Sequence, residues 1–102
     1  MTRNTMSVFI VGNIAVDNPA NLAAYKEAAG PSMKEFGIGV VASAAPTEML
    51  EGEYPGPITV ILEAESEEKA RAWHTSESYA KAIAARSPDS KFTIAIVPRV
   101  GG

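Results

Sequence analysis

One histidine, His74, is the side chain of this 102-residue chain best suited to move a proton near neutral pH, where imidazole changes charge. Glu63, at the end of a β-branched run, could act as a general base or orient His74 if the fold brings the two together. Asn13 could polarise a carbonyl. Arg86, seven positions after Tyr79 and so on the same helical stripe, could hold an anionic group. Each has a plainer reading as well. His74 would then sit on the outer side of its helix, Glu63 in solvent, Arg86 against a carboxylate and Asn13 against the opposing sheet; Trp73, spaced with Ala70, would belong to the core.

Composition narrows the chemistry. The absence of cysteine removes disulfides, thiolate metal sites and thiol nucleophiles, and a lone imidazole leaves any metal dependent on carboxylates, so no metal is expected. No serine stands in a nucleophile-elbow setting, and no glycine-rich loop follows a strand to cradle phosphate. Haem would need His74 as its axial ligand and a basic cluster for the propionates, which is missing, as are flavin and nicotinamide motifs; no cofactor is expected. The net charge of −3, with nine basic residues scattered along the chain, argues against nucleic acid as a partner. Apolar stretches fall far short of the roughly 20 residues that cross a bilayer, and Met1 to Met6 lacks the apolar core of a signal peptide, so the expectation is a cytoplasmic protein without membrane contact. With 46% hydrophobic and 21% charged residues the whole chain, 1–102, reads as one globular domain with its core over about 7–97.

The elements that must position these residues follow from spacing. Ser7 to Ala15 is β-branched and apolar and predicts a strand; Asp17-Asn18-Pro19 then starts a helix. Leu22, Tyr25 and Ala29 recur at helical spacing, and Gly30-Pro31 predicts a break or kink before Met33 and Phe36 resume the pattern. Gly37 and Gly39 end that helix, Val40 to Ala45 form a second strand of small residues, and the proline-rich segment Pro46 to Pro57 is a loop anchored by Met49, Leu50 and Tyr54. Ile58 to Ala64 is the third strand. Ser66 with Glu67 and Glu68 caps the next helix, which a second capping serine, Ser76 or Ser78, continues at a bend. Ser87-Pro88-Asp89 is a turn, Lys91 to Val97 the last strand, and Pro98 to Gly102 a frayed tail. The order is β-α-β-β-α-β, which predicts a ferredoxin-like α+β fold: a four-stranded antiparallel sheet with its helices on one face.

Strand alternation puts Val8, Ile10, Ile14, Ile58, Val60, Leu62, Phe92, Ile94 and Ile96 under the helices. Phe9, Val11, Asn13, Val41, Ser43, Thr59, Ile61, Glu63, Thr93, Ala95 and Val97 fall on the other face, whose apolar members make water a poor neighbour. A homodimer that packs the two open faces together covers them. It also encloses Asn13, Ser43, Thr59, Glu63 and Thr93 as bonded partners or as the lining of a wet cavity for a small molecule.

The set Asp17, Tyr25-Lys26, Phe36-Gly37, Leu50-Glu51-Gly52, Leu62-Glu63-Ala64 and Glu68-Lys69-Ala70-Arg71-Ala72-Trp73, followed by Ser76, Tyr79 and Arg86, resembles the domain of unknown function 1330 family over residues 7–97. That resemblance implies a dimeric α+β barrel with no agreed activity. Its wider structural group includes cofactor-independent monooxygenases, lactone isomerases and haem-dependent enzymes. The chain departs from the family's pattern in carrying Gly37-Ile38-Gly39 and Ala42-Ser43-Ala44 where a Gly-Gly pair and a basic residue are usual, and His74 where a tyrosine follows the tryptophan. The combined expectation is a cofactor-independent enzyme acting by proton transfer on a small, largely apolar, oxygenated metabolite. His74 and Glu63 would be its acid and base, and Asn13, Ser43, Thr59, Thr93, Trp73, Tyr79, Arg86 and Phe9 its substrate contacts. The alternative is a non-catalytic dimeric module that binds a small molecule or only packs.

Overall fold

The computed structural model describes residues 7–15, 19–54, 56–86 and 90–100. Strand β1 (Val8–Ala15) leads to helix α1 (Pro19–Glu35), strands β2 (Gly39–Ala44) and β3 (Ile58–Ala64), helices α2 (Glu67–His74) and α3 (Glu77–Ala84), and strand β4 (Lys91–Pro98). The sheet runs β2-β3-β1-β4 with every neighbour antiparallel, which is the ferredoxin-like arrangement read from the sequence. Asp17 and Asn18, the turn at Ser87–Asp89 and the segment Met1–Met6 lie outside the described residues.

Period-two alternation sets the faces of the two central strands. In β1, Val8, Ile10 and Ile14 are buried and join Leu62 and Ala64 of β3 in one core with Tyr25, Ala29, Ala70, Trp73, Tyr79 and Ala82 from the helices. Ile58, Val60, Phe92, Ile94 and Ile96 pack around that cluster, so the face read from the sequence as helix-covered is so. Burying side chains of this kind contributes roughly 1.5–3 kcal/mol apiece, which is what holds the helix layer on the sheet.

Two helix boundaries decide where the aromatic residues point. Helix α1 runs unbroken through Gly30-Pro31, contrary to the expected break. Pro31 removes one donor from the ladder, while the Ser32 hydroxyl donates to the Ala29 carbonyl at 2.7 Å one turn back. The helix stops at Gly37, whose φ of 68° lets Ile38 N–H reach the Met33 carbonyl at 2.8 Å and Gly37 N–H the Lys34 carbonyl at 3.3 Å. Between α2 and α3, Ser76 serves both ends. Its hydroxyl donates to the Trp73 carbonyl at 2.7 Å and accepts from the Tyr79 N–H at 3.1 Å. That double cap breaks the helix once and seats Trp73 and Tyr79 side by side, their rings 4.3 Å apart between centroids.

Strand β2 departs from simple alternation. Val40 pairs with Leu62 and Ala42 with Ile61, so Val41 is the extra residue of a β-bulge. Beyond it Ser43 faces Val60, on the helix side of the sheet, not on the open face where alternation from Val41 put it. The end of the chain also differs from a frayed tail. Pro98 still belongs to β4, and Arg99 lies over the Phe9 ring at 4.6 Å, pairs with Glu63 and donates to the Ser7 hydroxyl at 2.9 Å.

Candidate functional site

Among the described residues, a buried polar arrangement joins α1, α3 and the residue that ends the helix layer. Tyr25 and Tyr79 hydroxyl oxygens are 2.6 Å apart, and an Arg86 guanidinium nitrogen donates to the Tyr79 hydroxyl at 2.8 Å. The guanidinium lies over the Phe92 ring at 3.8 Å, with the Tyr25 and Tyr79 rings at 5.4 and 5.9 Å. Three aromatic faces surround this cation, and among the described residues no carboxylate pairs with it. Its Nε is buried without a partner.

Donor accounting constrains the direction of the chain of bonds. Arginine only donates, so the Tyr79 oxygen accepts from it. Tyr79 is wholly buried, and the acceptor its own proton finds among the described residues is the Tyr25 oxygen. Tyr79 donating to Tyr25 is the arrangement that gives the wholly buried hydroxyl a partner for its proton, and it leaves the Tyr25 proton for another acceptor. Burial, reinforced by Tyr79, holds the Tyr25 phenol well above its ordinary range, while Arg86 pulls the other way. Tyr25 thus stays a neutral donor at physiological pH.

That hydroxyl belongs to a residue on the wall of a cavity. Between α1 and the β2 side of the sheet lies a space of about 270 Å³, lined by hydrocarbon from Ile14, Ala29, Met33, Val40, Val60 and Leu62 and by Tyr25, Lys26, Ser43 and Trp73. An apolar cavity of about 150 Å³ is enough to take up benzene, so this one admits a molecule of roughly ten carbons. Trp73 forms part of its roof and is fixed there, its indole N–H donating to the Ser32 hydroxyl at 3.0 Å. On the β4 side a second cleft of about 150 Å³ is walled by Ile10, Ile94, Ile96, Ala70 and Trp73, with Arg71, His74 and Thr75 at its edge.

The residues singled out in the sequence divide between the two faces of the sheet. Trp73, Tyr79 and Arg86 are in the helix-side cluster, and Ser43 lines the larger cavity. His74 is exposed at the last turn of α2, its ring 5.5 Å from that of Tyr79. Asn13, Thr59, Thr93, Glu63 and Phe9 lie on the open face: Thr59 donates to the Asn13 side-chain oxygen at 3.1 Å, Thr93 is cross-strand from Asn13, and Glu63 is held by Arg99 beside Phe9. The sheet therefore separates Glu63 from His74 and does not bring the expected acid and base together. Sequence reading passed over Tyr25, Lys26, Ser32 and Arg99 as site residues. Tyr25 was visible as a core position of α1 and as part of the family pattern, and nothing in its spacing distinguishes a packing tyrosine from a donor. Among the described residues, no group of three histidine, aspartate or glutamate side chains is gathered to hold a metal ion, and no helix is long and apolar enough to cross a membrane.

Comparison with known proteins gives a family and a fold. The model of a domain of unknown function, DUF1330, matches residues 7–100. No curated protein matches the chain. Among solved structures, a protein of unknown function from Rhodopseudomonas palustris superposes with a TM-score of 0.66 at 18% identity, covering 89% of this chain and 82% of that one. Its methylated form gives 0.67 at 18% identity, covering 94% and 84%. A dimeric ferredoxin-like protein of unknown function from Thermobifida fusca gives 0.49 at 13% identity, covering 90% and 92%.

Proposed function

The chain belongs to the DUF1330 family, and for this member we propose that the helix-side cavity binds a small, largely apolar molecule through one oxygen and polarises that oxygen without a cofactor. The observation that carries this reading is Tyr25, a phenol that lines the cavity and whose hydroxyl is backed by Tyr79 and Arg86. A carbonyl oxygen that accepts from Tyr25 gains charge as a proton leaves the neighbouring carbon. The relay Arg86 to Tyr79 to Tyr25 strengthens the donor as that charge grows, in the manner of an oxyanion hole. The chemistry is therefore proton transfer next to a carbonyl, as in an isomerisation, cyclisation or dehydration. Lys26 and Ser43 would orient a carboxylate or hydroxyl at the cavity edge. His74, at the edge of the adjoining cleft and not in the larger cavity, would take the proton from a substrate whose reacting carbon reaches into that cleft.

A second reading has its own support. Among the described residues lining the larger cavity are a phenol, an ammonium, a hydroxyl and an indole, but no carboxylate or imidazole. Such a donor-rich wall suits a module that holds an oxygenated molecule without converting it. We also propose a homodimer closed through the open face, where Phe9, Val11, Ile61, Ala95 and Val97 lie together without a helix over them.

The test is deuterium uptake. A panel of small apolar ketones and keto acids is incubated with the protein in heavy water and followed by mass spectrometry. Catalysed exchange next to the carbonyl, lost in Tyr25→Phe and lowered in His74→Ala, supports the enzyme. Binding without exchange supports the module, and no binding by any member refutes the cavity as a ligand site.

A further inference from the structure

Trp73 lines three spaces, not two. Beneath it, between the larger cavity and the β4-side cleft, lies a void of about 30 Å³ bounded by Ile10, Gly12, Ile14, Tyr25, Val60, Leu62, Trp73 and Ile94. It shares Ile14, Tyr25, Val60, Leu62 and Trp73 with the larger cavity. With the cleft it shares Ile10, Trp73 and Ile94. The three lie next to one another between helices and sheet, each sharing walls with the next. Gly12 keeps its floor low: at that position any Cβ would stand 3.1 Å from the Thr93 carbonyl oxygen and 3.7 Å from Ile94 Cγ1.

The dimensions favour a shape. At about 30 Å³ the middle space is a constricted neck beside neighbours of about 270 and 150 Å³, which suits a narrow, flexible chain better than a bulky group. Most of the wall along this course is Ile, Leu, Val, Ala, Met and aromatic carbon. Charge sits at the ends, with Lys26 at the larger cavity and Arg71 at the cleft, the latter already paired with Glu67 at 3.2 Å. Lys26, in none of the ion pairs among the described residues, is the cation free for a ligand.

We propose that the ligand is an unbranched acyl chain whose carboxylate sits by Lys26 and Tyr25 and whose tail passes under Trp73 toward His74. This inference rests on the larger cavity being a ligand site and names the class of molecule it takes. The larger cavity alone holds roughly ten carbons, and the passage extends that to roughly fourteen or more.

The experiment is a calorimetric series of saturated straight-chain carboxylates from about six to about fourteen carbons, each below its micelle concentration. It is run on the full chain and on Ile94→Phe, which fills the neck. Each methylene buried strengthens binding about fourfold. The wild-type protein should gain at that rate through the whole series, while Ile94→Phe should gain up to roughly ten carbons and then stop. Should Ile94→Phe fail to fold, His74→Trp, a change at an exposed position, obstructs the far mouth and is expected to cut the gain for the longest chains. A wild-type series that levels off at about ten carbons, or variants that keep pace with it, overturns the passage and leaves the cavity reading standing. No binding at any length overturns both.

Discussion

Replacing Tyr79 with phenylalanine removes one hydroxyl and two hydrogen bonds, one of them to a guanidinium. A bond to a charged group contributes about 1.5–3 kcal/mol and a neutral one about 0.5–1.5 kcal/mol. Arg86 is half-buried and regains part of its loss by turning toward water, so the net cost works out at roughly 2–3 kcal/mol. Tyr25→Phe removes one neutral bond and strands the Tyr79 proton, for a cost of about 1–2 kcal/mol. The order follows from the position of Tyr79 in the middle of the relay. Urea unfolding at pH 7, at one fixed protein concentration, measures both variants, with an unchanged slope certifying that the midpoint shift is stability. A Tyr79→Phe variant within about 0.5 kcal/mol of wild type, or a Tyr25→Phe variant costing more than Tyr79→Phe, would refute the placing of Tyr79 at the middle of the relay.

Alkali should weaken the fold through Tyr25. Its folded-state phenol is held above the unfolded value, so its contribution is complete below about pH 10 and declines as pH rises beyond, by up to about 1.4 kcal/mol per unit. Unfolding midpoints between pH 9 and 11 should fall less steeply in Tyr25→Phe than in wild type, and parallel curves count against it. If the open face closes a dimer, light scattering should give about twice the 10.7 kDa chain mass, and Ala95→Glu, at an exposed centre of that face, should halve it without lowering helix content. A wild-type mass of one chain ends that proposal. Gly30→Ala should stabilise α1 by about 0.5–1 kcal/mol, because its φ is negative and nothing lies within 4 Å of an added Cβ. A loss of stability there would mean that the helix needs glycine beside Pro31.

Element order, the helix-covered face and the capping serine at position 76 were legible because each leaves a local signature: period-two alternation, period-3.6 recurrence, a serine ahead of an acidic turn. Ser43 was not. A bulge is one extra residue, and the small side chains of Val41-Ala42-Ser43-Ala44 carry too little hydrophobic contrast to reveal it, so alternation ran on and turned Ser43 to the wrong side. The unbroken α1 escaped for a different reason. Gly-Pro reads as a stop wherever tertiary packing is ignored, but Tyr25 and Ala29 before the pair and Ser32 after it are buried against the sheet and α2, which carries the helix across the missing donor. Arg99 escaped because its partners, Ser7 and Glu63, are remote in sequence.

The cavity shows where such reading must stop. The open-face polar residues Asn13, Thr59 and Thr93 stand out in a strand because they interrupt an apolar pattern, so they draw attention as candidates. The helix-side space arises instead from what is small at Gly12, Ala29 and Ser43, and smallness at three places distant in the chain has no period. Its phenol donor is hidden in the same way. Tyr25 packs edge-on to Tyr79 with ring centroids 6.2 Å apart and tilts against Phe92 at 4.9 Å, so by spacing and burial it is a core residue. What sets it apart is a proton count. Arg86 can only give, Tyr79 has no other acceptor among the described residues, and so the last proton of the relay belongs to Tyr25. Removing the positive charge behind it, as in Arg86→Met, should therefore weaken the hold of the cavity on a carboxylate even though Arg86 is not among the residues lining it. An unchanged affinity in that variant would mean that Tyr25 acts alone.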